Sequence, residues 1–160
     1  MPQKVIGLDV SLRSIKAVQL TSTLRGFELT HFARIPLPDL EKGDGFKDIS
    51  PVLEKLLKEN GFSRDTVVSS LPGNRVMIHY LELPFSDPKK VQQVAKYELE
   101  PYLPMPIDEI VMDCQIMEYE KGKSSKVLTA AAKKTTVEDH LQTLKAAGID
   151  AAEFLRRYCD

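Results

Sequence analysis

The stretch from Lys4 to Val10 constrains the fold more than any other part of the chain. It is a nearly continuous apolar run, which is typical of a buried central strand in a sheet. The apolar residues that follow predict a second strand over 15–20 and a third over 26–35, with a turn at 21–25. Three successive strands at this spacing predict an antiparallel meander rather than a βαβ unit.

A helix and a short strand complete the first part of the chain. Ser50 and Pro51 predict the start of the helix, because serine caps helices and proline suits the first helical position. Gly61 predicts its end, and a strand is expected over 66–71. A turn at 72–74 follows, and the pattern of strands and helices changes there.

The second part of the chain predicts a strand, a helix, a hairpin and a last helix. We expect a strand over 75–83, a helix opening at Asp87-Pro88, a hairpin of 110–119 with 126–132, and a helix from the capping box Thr135-x-x-Glu138 to Gly148. Three prolines between 100 and 107 favour an extended, partly polyproline segment. The order predicts a mixed α/β (α+β) fold of two small units with a boundary near Gly73.

Composition excludes several classes of protein. An apolar share of 42% and a charged share of 28% exclude a wholly disordered chain. Twenty-two basic against 23 acidic residues argue against a dedicated nucleic-acid binder. The N-terminus lacks the apolar region of a signal peptide, and no apolar stretch approaches the roughly 20 residues of a membrane helix. We therefore expect a chain that is cytosolic, or that belongs to the cytosolic face of something larger, with no direct membrane insertion.

The first candidate site is the turn that follows the first strand. The turn amides and the hydroxyls of Ser11 and Ser14 would face a phosphate, Lys16 would supply charge, and Asp9 would hold a magnesium-bound water. On the pattern alone an ordinary hairpin is favoured over a phosphate site, and the sequence has no Walker A or GxGxxG motif.

The second candidate site is the apolar, proline-rich segment 97–107. Its large apolar side chains either pack the helix of the second unit onto its sheet or form the wall of a groove for a partner peptide. The candidate partner-binding residues are Tyr102, Leu103, Pro104, Met105 and Ile107.

The remaining polar residues give no support for catalysis or metal binding. The histidines His31, His79 and His140 lie far apart in sequence, and there is no GxSxG elbow. Cys114 and Cys159 have neither a metal-ligand spacing nor a disulfide framework, which indicates free thiols in a reducing compartment.

Two motifs resemble a known family. Gly7-Leu8-Asp9-Val10, followed by Ser14 to Leu20, resembles the opening of the actin-like pilus-assembly protein PilM and of the cytoplasmic domain of the type II secretion protein GspL. The segment from Val94 to Glu109 is similar to their "E…E…lPfPidE" stretch, and Val111-Met112-Asp113-Cys114-Gln115 is close to the "v-l-D-y-Q" that continues it.

The resemblance implies part of an actin-like fold related to the division protein FtsA. Residues 1–72 and 134–160 would form a partial ribonuclease-H-like subdomain 1A, and 73–133 an inserted βαββ subdomain 1C. ATP and Mg²⁺ become candidate ligands by the same resemblance. The family's phosphate turn reads D-I-G-S-S-S-I-K, whereas this chain has Ser11 for the glycine and Leu12 for a hydroxyl.

The resemblance also implies more chain than these residues supply. After Gly148 the family continues with another strand and a second lobe, whereas 151–160 reads as a short helical tail. The ATP cleft would therefore have only one wall.

We therefore expect a non-catalytic cytosolic scaffold of a type IV pilus or type II secretion machine. By resemblance, its partner is the cytoplasmic segment of an inner-membrane assembly protein docked between 1A and 1C, or the hexameric assembly ATPase in the secretion case. The alternative is an actin-fold ATPase that uses Asp9 and Lys16. A third expectation is a homodimer through exposed 1A strands.

Overall fold

The computed structural model describes residues 2–11, 13–37 and 49–150. These residues form a mixed α and β structure with two sheets, and the elements follow each other in the predicted order. The described residues divide into two compact units: those up to 72 together with 138–150, and residues 73–137. No helix among these residues is long and apolar enough to cross a membrane.

The first unit contains a four-stranded sheet in the order β3-β2-β1-β4. The strands β1, β2 and β3 form the predicted antiparallel meander, and β4 pairs with β1 in parallel. The strands are β1 (Lys4–Val10), β2 (Ser14–Thr23), β3 (Gly26–Pro36) and β4 (Val67–Ser70).

Two helices pack on one face of this sheet. They are α1 (Ser50–Glu59) and α3 (Lys134–Ala146). Alternate residues of the central strands point toward the helices because successive side chains in a strand face opposite sides. The buried core on this face consists of Ile6, Leu8, Val10, Ile15 and Ala17 from the strands, Leu53, Leu56 and Leu57 from α1, and Leu144, Ala147 and Ile149 from α3 and its end.

Both helices end on a glycine in the left-handed region, as predicted. Gly61 has φ +67° and Gly148 has φ +75°. The amides of the next residues, Phe62 and Ile149, each donate to a carbonyl five residues back at 3.0 Å. This Schellman arrangement satisfies carbonyls that the helix leaves open and turns the apolar residue after the glycine into the core.

The predicted capping residues of α1 and α3 are wrong. Ser50 is the first residue of α1, and Ile49 occupies the cap position without a side-chain hydrogen bond. Thr135 lies inside α3, which begins at Lys134. The strand that precedes α3 ends at Lys133, so the chain passes from strand to helix with no residue left for a cap.

The second unit contains a three-stranded antiparallel sheet in the order β5-β7-β6, with helix α2 packed on it. Helix α2 opens at Asp87-Pro88 as predicted, and Asp87 caps it: its side chain accepts from the amide of Lys90 at 2.9 Å. The elements are β5 (Val76–Leu83), α2 (Pro88–Leu99), β6 (Ile110–Glu120) and β7 (Ser124–Lys133).

The prediction of an extended segment over 100–107 is wrong in part. The chain forms two single turns of 3₁₀ helix, Glu100–Tyr102 and Ile107–Glu109. Pro101 fits the first of these because its fixed φ is near-helical and its missing N–H needs no partner at the start of a turn. Extended geometry remains only between the two turns.

Candidate functional site

The turn between β1 and β2 holds two of the four residues predicted to bind phosphate. The amide of Ser11 donates to the Ser14 carbonyl at 3.0 Å, and the amide of Ser14 donates to the Ser11 Oγ at 3.2 Å. The Ser11 hydroxyl in turn donates to the Ser14 carbonyl at 2.9 Å. Ser14 is buried. The polar groups of Ser11 and Ser14 therefore bind one another.

The other two residues, Asp9 and Lys16, form an ion pair beside the turn. They are directly opposed on β1 and β2, and the Lys16 Nζ donates to the Asp9 Oδ2 at 2.8 Å. Their side chains are 48% and 52% exposed. Such an exposed pair contributes at most about 1 kcal/mol. An anion that bound Lys16 would have to compete with Asp9 for it.

Arg34 belongs to the same row of side chains, and sequence reasoning missed it. It lies opposite Lys16 on β3, so Asp9, Lys16 and Arg34 come from three adjacent strands. The alternation of β3 was the available signal: Ala33 and Ile35 pack against the core while Arg34 is exposed. The row is a charged border on the outward face of the sheet.

The predicted partner-binding residues separate into two groups. Leu103 and Met105 are half-buried and pack against the core of the second unit. Tyr102 and Pro104 are exposed, and Ile107 is half-buried. The segment therefore packs α2 onto its sheet and also leaves Tyr102 and Pro104 exposed. The groove for a partner peptide stays a prediction.

Tyr102 lies against a histidine on the edge of the second sheet. Its ring centroid is 5.0 Å from that of His79, with an interplanar angle of 34°. His79 belongs to β5, which is hydrogen-bonded to β7 on one side and is an edge strand of this sheet. The aromatic pair therefore lies beside a strand edge, and no sequence spacing links residues 79 and 102.

A second contact that the sequence did not indicate joins α3 to β4. The Nε2 atom of His140 lies 2.9 Å from the Ser69 Oγ, and His140 is buried. Burial lowers the pKa of His140, because desolvation disfavours the imidazolium. The pair is 71 residues apart in sequence, which is why no local motif could identify it.

Gln19 is a third polar residue that the sequence did not single out. It is fully buried on β2. Its Nε2 lies 3.1 Å from the Thr30 Oγ1 and 3.0 Å from the His31 Nδ1, while its Oε1 accepts from the Ser63 amide at 2.7 Å. One amide side chain therefore joins two strands to the segment before β4.

The thiol of Cys114 is half-buried against the core of the second unit. Burial raises its pKa, and the adjacent Asp113 carboxylate adds to this effect. A raised pKa makes the thiol a poor nucleophile, in keeping with a packing role. Cys159 lies outside the described residues. In the ranges that the structure covers, no three His, Cys, Asp or Glu side chains are grouped to hold a metal ion.

The chain was compared with known protein families and solved structures. Residues 7–153 match the family described as type IV pilus assembly protein PilM. The structure is also similar to a chain of a PilM-PilN type IV pilus biogenesis complex, with a TM-score of 0.79 and 25% identity, over 91% of this chain and 45% of that one.

A second solved structure shares the fold. It is the cytoplasmic domain of EpsL, an inner membrane component of the type II secretion system of Vibrio cholerae, with a TM-score of 0.59 and 13% identity, over 92% of this chain and 55% of that one. Both are actin-like folds, so the predicted fold class is confirmed. The chain spans about half the length of the solved structures that it matches.

Proposed function

The chain belongs to the family of the type IV pilus assembly protein PilM, and from this we propose that it is a non-catalytic cytoplasmic scaffold of a type IV pilus or type II secretion machine. Its partner in this proposal is the cytoplasmic segment of an inner-membrane assembly protein. The similar solved structure of a complex that contains PilN supports a partner of this kind.

The observation that carries the proposal is the position of Tyr102 beside the edge strand β5. A strand edge presents backbone amides and carbonyls that an extended peptide can pair with, and neighbouring side chains then select the peptide. Tyr102 is 59% exposed, and its ring contacts the ring of His79 on that strand at a tilt of 34°. At this place a peptide could pair with the backbone of the strand edge and also make an apolar contact with the ring of Tyr102.

Charge around this segment favours a basic partner. The exposed acidic residues Glu98, Glu100, Asp108 and Glu109 flank the proline-rich segment on both sides. Cytoplasmic segments next to a membrane span carry an excess of Lys and Arg. Attraction between the two would speed association and would weaken as salt is added.

The β1–β2 turn supports a non-catalytic role. The hydroxyls and amides of Ser11 and Ser14 bind within the turn, and Lys16 is paired with Asp9. A nucleotide phosphate that used the groups of Ser11, Ser14 and Lys16 would have to displace these contacts. An ATPase that uses Asp9 and Lys16 remains the alternative function, and its test is given in the Discussion.

The experiment is a titration of the protein with a fluorescent peptide that comprises the cytoplasmic N-terminal segment of the PilN-like protein from the same organism. We expect saturable binding that weakens between low and high salt. Tyr102→Ala should reduce the affinity at least tenfold. Tyr97→Ala is the matched control, because Tyr97 lies on α2 and is 68% exposed but has no place beside the strand edge in this proposal.

Charged substitutions at Leu103 or Met105 are unsuitable for this test. Both side chains pack against the core of the second unit, so a charge there would destabilise the unit and remove binding indirectly. Equal affinities of the Tyr102→Ala and Tyr97→Ala variants, or the absence of peptide binding by a folded protein, would overturn the proposed site.

A further inference from the structure

Four of the described strands lie at the edge of a sheet, and they differ in how well that edge can pair with another strand. β3 and β4 are the edges of the first sheet, and β5 and β6 are the edges of the second. Proteins commonly protect sheet edges with short strands, bulges or charged side chains, because a regular edge can pair with any extended chain. An edge that lacks this protection is therefore a candidate binding surface.

Three of the four edge strands are irregular or short. In the pairing register, β3 has one residue more than its partner at Thr30, and β6 has one residue more than its partner at Met117. A bulge of this kind bends and twists the strand, which disturbs the regular spacing of backbone groups that a new strand needs. β4 is regular but contains only four residues.

β5 is the regular edge. Its eight residues, Val76–Leu83, pair with β7 in one unbroken antiparallel register. Among the strands that the structure describes, it is the one edge strand that combines this length with an unbroken register. This difference is a property of the strands themselves, since it depends on their length and pairing and not on how exposed their side chains are.

The contact of Thr129 with His79 shows which backbone groups of β5 point out of the sheet. The two residues are directly opposed on β7 and β5, and the Thr129 hydroxyl donates to the His79 carbonyl at 3.0 Å. This carbonyl therefore points toward β7. In an antiparallel pair, the backbone groups of successive residues point alternately toward the partner strand and away from it. The amides and carbonyls of Ile78 and Tyr80 consequently point outward.

The same alternation shows that the edge of β6 is occupied at its centre. Since the backbone groups of Thr129 point toward β5, those of Cys114, which lies opposite Thr129 on β6, point away from the sheet. The amide of Cys114 donates to the Asp113 carboxylate at 2.8 Å. A side chain of β6 thus already binds an outward amide that an added strand would need.

We propose, on the basis of the function proposed above, that the cytoplasmic segment of the assembly protein adds to β5 as a further strand and hydrogen-bonds to the backbone of Ile78 and Tyr80. Its side chains then alternate between the two faces of the sheet. Those level with His79 contact the ring of Tyr102, which lies 5.0 Å from the His79 ring. Those level with Ile78 and Tyr80 contact the apolar side chains of these two residues.

This placement specifies the chemistry of the segment. It must be apolar at successive positions, because Tyr102 flanks the edge on one face and Ile78 and Tyr80 flank it on the other. A segment that alternated apolar with polar residues would match one face only. Glu82 is exposed and follows Tyr80 on the same face of β5, so a Lys or Arg at the end of the apolar run would be level with a carboxylate.

Amide hydrogen exchange, followed by NMR with and without the PilN-like peptide, tests the backbone contact. In the free protein, the amides of Ile78 and Tyr80 should exchange fast, whereas that of His79 is bonded to β7 and should be protected. Saturating peptide should slow exchange at Ile78 and Tyr80 by at least about tenfold. The amide of Cys114, at the opposite edge, is the control and should exchange at an unchanged rate.

A proline at position 78 tests the same contact by mutation. Ile78→Pro removes an outward N–H but no bond to β7, and edge strands tolerate proline at such positions. Ile78→Ala is the matched control, because it shortens the side chain and keeps the N–H. The affinity for the peptide should fall at least about tenfold with proline and less than about threefold with alanine. Circular dichroism shows whether each variant is folded.

Methylation of the peptide nitrogens, one residue at a time, repeats the test without any change to the protein. In an added strand, every second N–H of the peptide bonds to β5 and the others point away. The affinity should therefore fall at alternate residues of the docked run and stay nearly constant at the residues between them.

The outcomes separate this inference from the proposed function. Equal affinities of folded Ile78→Pro and Ile78→Ala variants, unchanged exchange at Ile78 and Tyr80, or a methylation pattern without alternation would overturn the strand addition, while a peptide that still binds would leave the proposed function in place. An unmodified peptide that does not bind would overturn both.

Discussion

The Nε2 atom of His140 on α3 lies 2.9 Å from the Ser69 Oγ on β4, inside the first unit. This contact is made by a buried imidazole. It links β4, the last strand in the order of the first sheet, to α3. This helix follows the second unit in sequence but packs in the first unit.

The pKa of His140 makes the stability of the protein depend on pH. Burial lowers this pKa from the ordinary value of 6.5, so below pH 6.5 the unfolded state binds a proton that the folded state does not. The free energy of unfolding should therefore fall as the pH is lowered through 6.5, until the folded-state pKa is reached. Urea unfolding at a series of pH values between 8 and 5 measures this.

A His140→Gln variant should be less stable at pH 8 but should lose part of that pH dependence. His79→Gln is the control, because His140 is still present there. A His140→Gln variant with the full wild-type pH dependence would show that other groups are responsible.

Replacement of Gln19 by leucine should destabilise the protein by about 1–3 kcal/mol, since the half-buried Ser63 amide would lose its acceptor. Gln92→Leu on the exposed side of α2 should change the stability by less than about 0.5 kcal/mol. Chemical denaturation of both variants gives the comparison. Equal stabilities would mean that water or backbone relaxation replaces the contacts of Gln19.

Alanine at the two helix-terminal glycines should cost stability because both have positive φ. Gly61→Ala meets open space, and its cost should be the conformational strain alone, about 1 kcal/mol. At Gly148 a Cβ would collide with the end of the Arg64 side chain, so Gly148→Ala should cost somewhat more. Gly73→Ala is the control, since Gly73 has no positive φ and an open surrounding. A cost as large at Gly73 would contradict this explanation.

Titration calorimetry with ATP and Mg²⁺ should give no binding at millimolar nucleotide. The expectation follows from the contacts within the turn and from the pairing of Lys16 with Asp9. Micromolar binding that Lys16→Ala removes would instead favour the nucleotide-binding alternative. Asp9→Ala is a useful comparison, because it releases Lys16 without altering the turn.

The sequence was sufficient to predict the elements and their order, because each boundary had a local signal. Gly61 and Gly148 ended their helices, and Asp87 capped α2. The prediction failed at the starts of α1 and α3, where residues with the right chemistry for a cap lie inside the helix. A capping residue stabilises a helix start by only about 1 kcal/mol. A strand that continues directly into the helix can therefore place the start at another residue.

The candidate sites were harder to predict, because the important contacts join distant residues. Asp9 and Lys16 could be placed together since a hairpin fixes their register. The contact of Tyr102 with His79 and that of His140 with Ser69 depend on how helices pack on sheets. The residue types alone did not show that Lys16 binds Asp9. That contact depends on the strand register, which places the two residues directly opposite each other.

The division of the chain imposes an order on its synthesis. The second unit is a single continuous stretch, and the last residue of its core cluster is Ala131. The first unit must wait for Leu144, Ala147 and Ile149 before its own core is complete. During synthesis, the strands of the first sheet therefore leave the ribosome before α3, which packs on them, has been made. The whole second unit is made in between. The segment encoded first is the one that finishes folding last, and its apolar strands are open to chaperones or to a neighbouring chain during that interval.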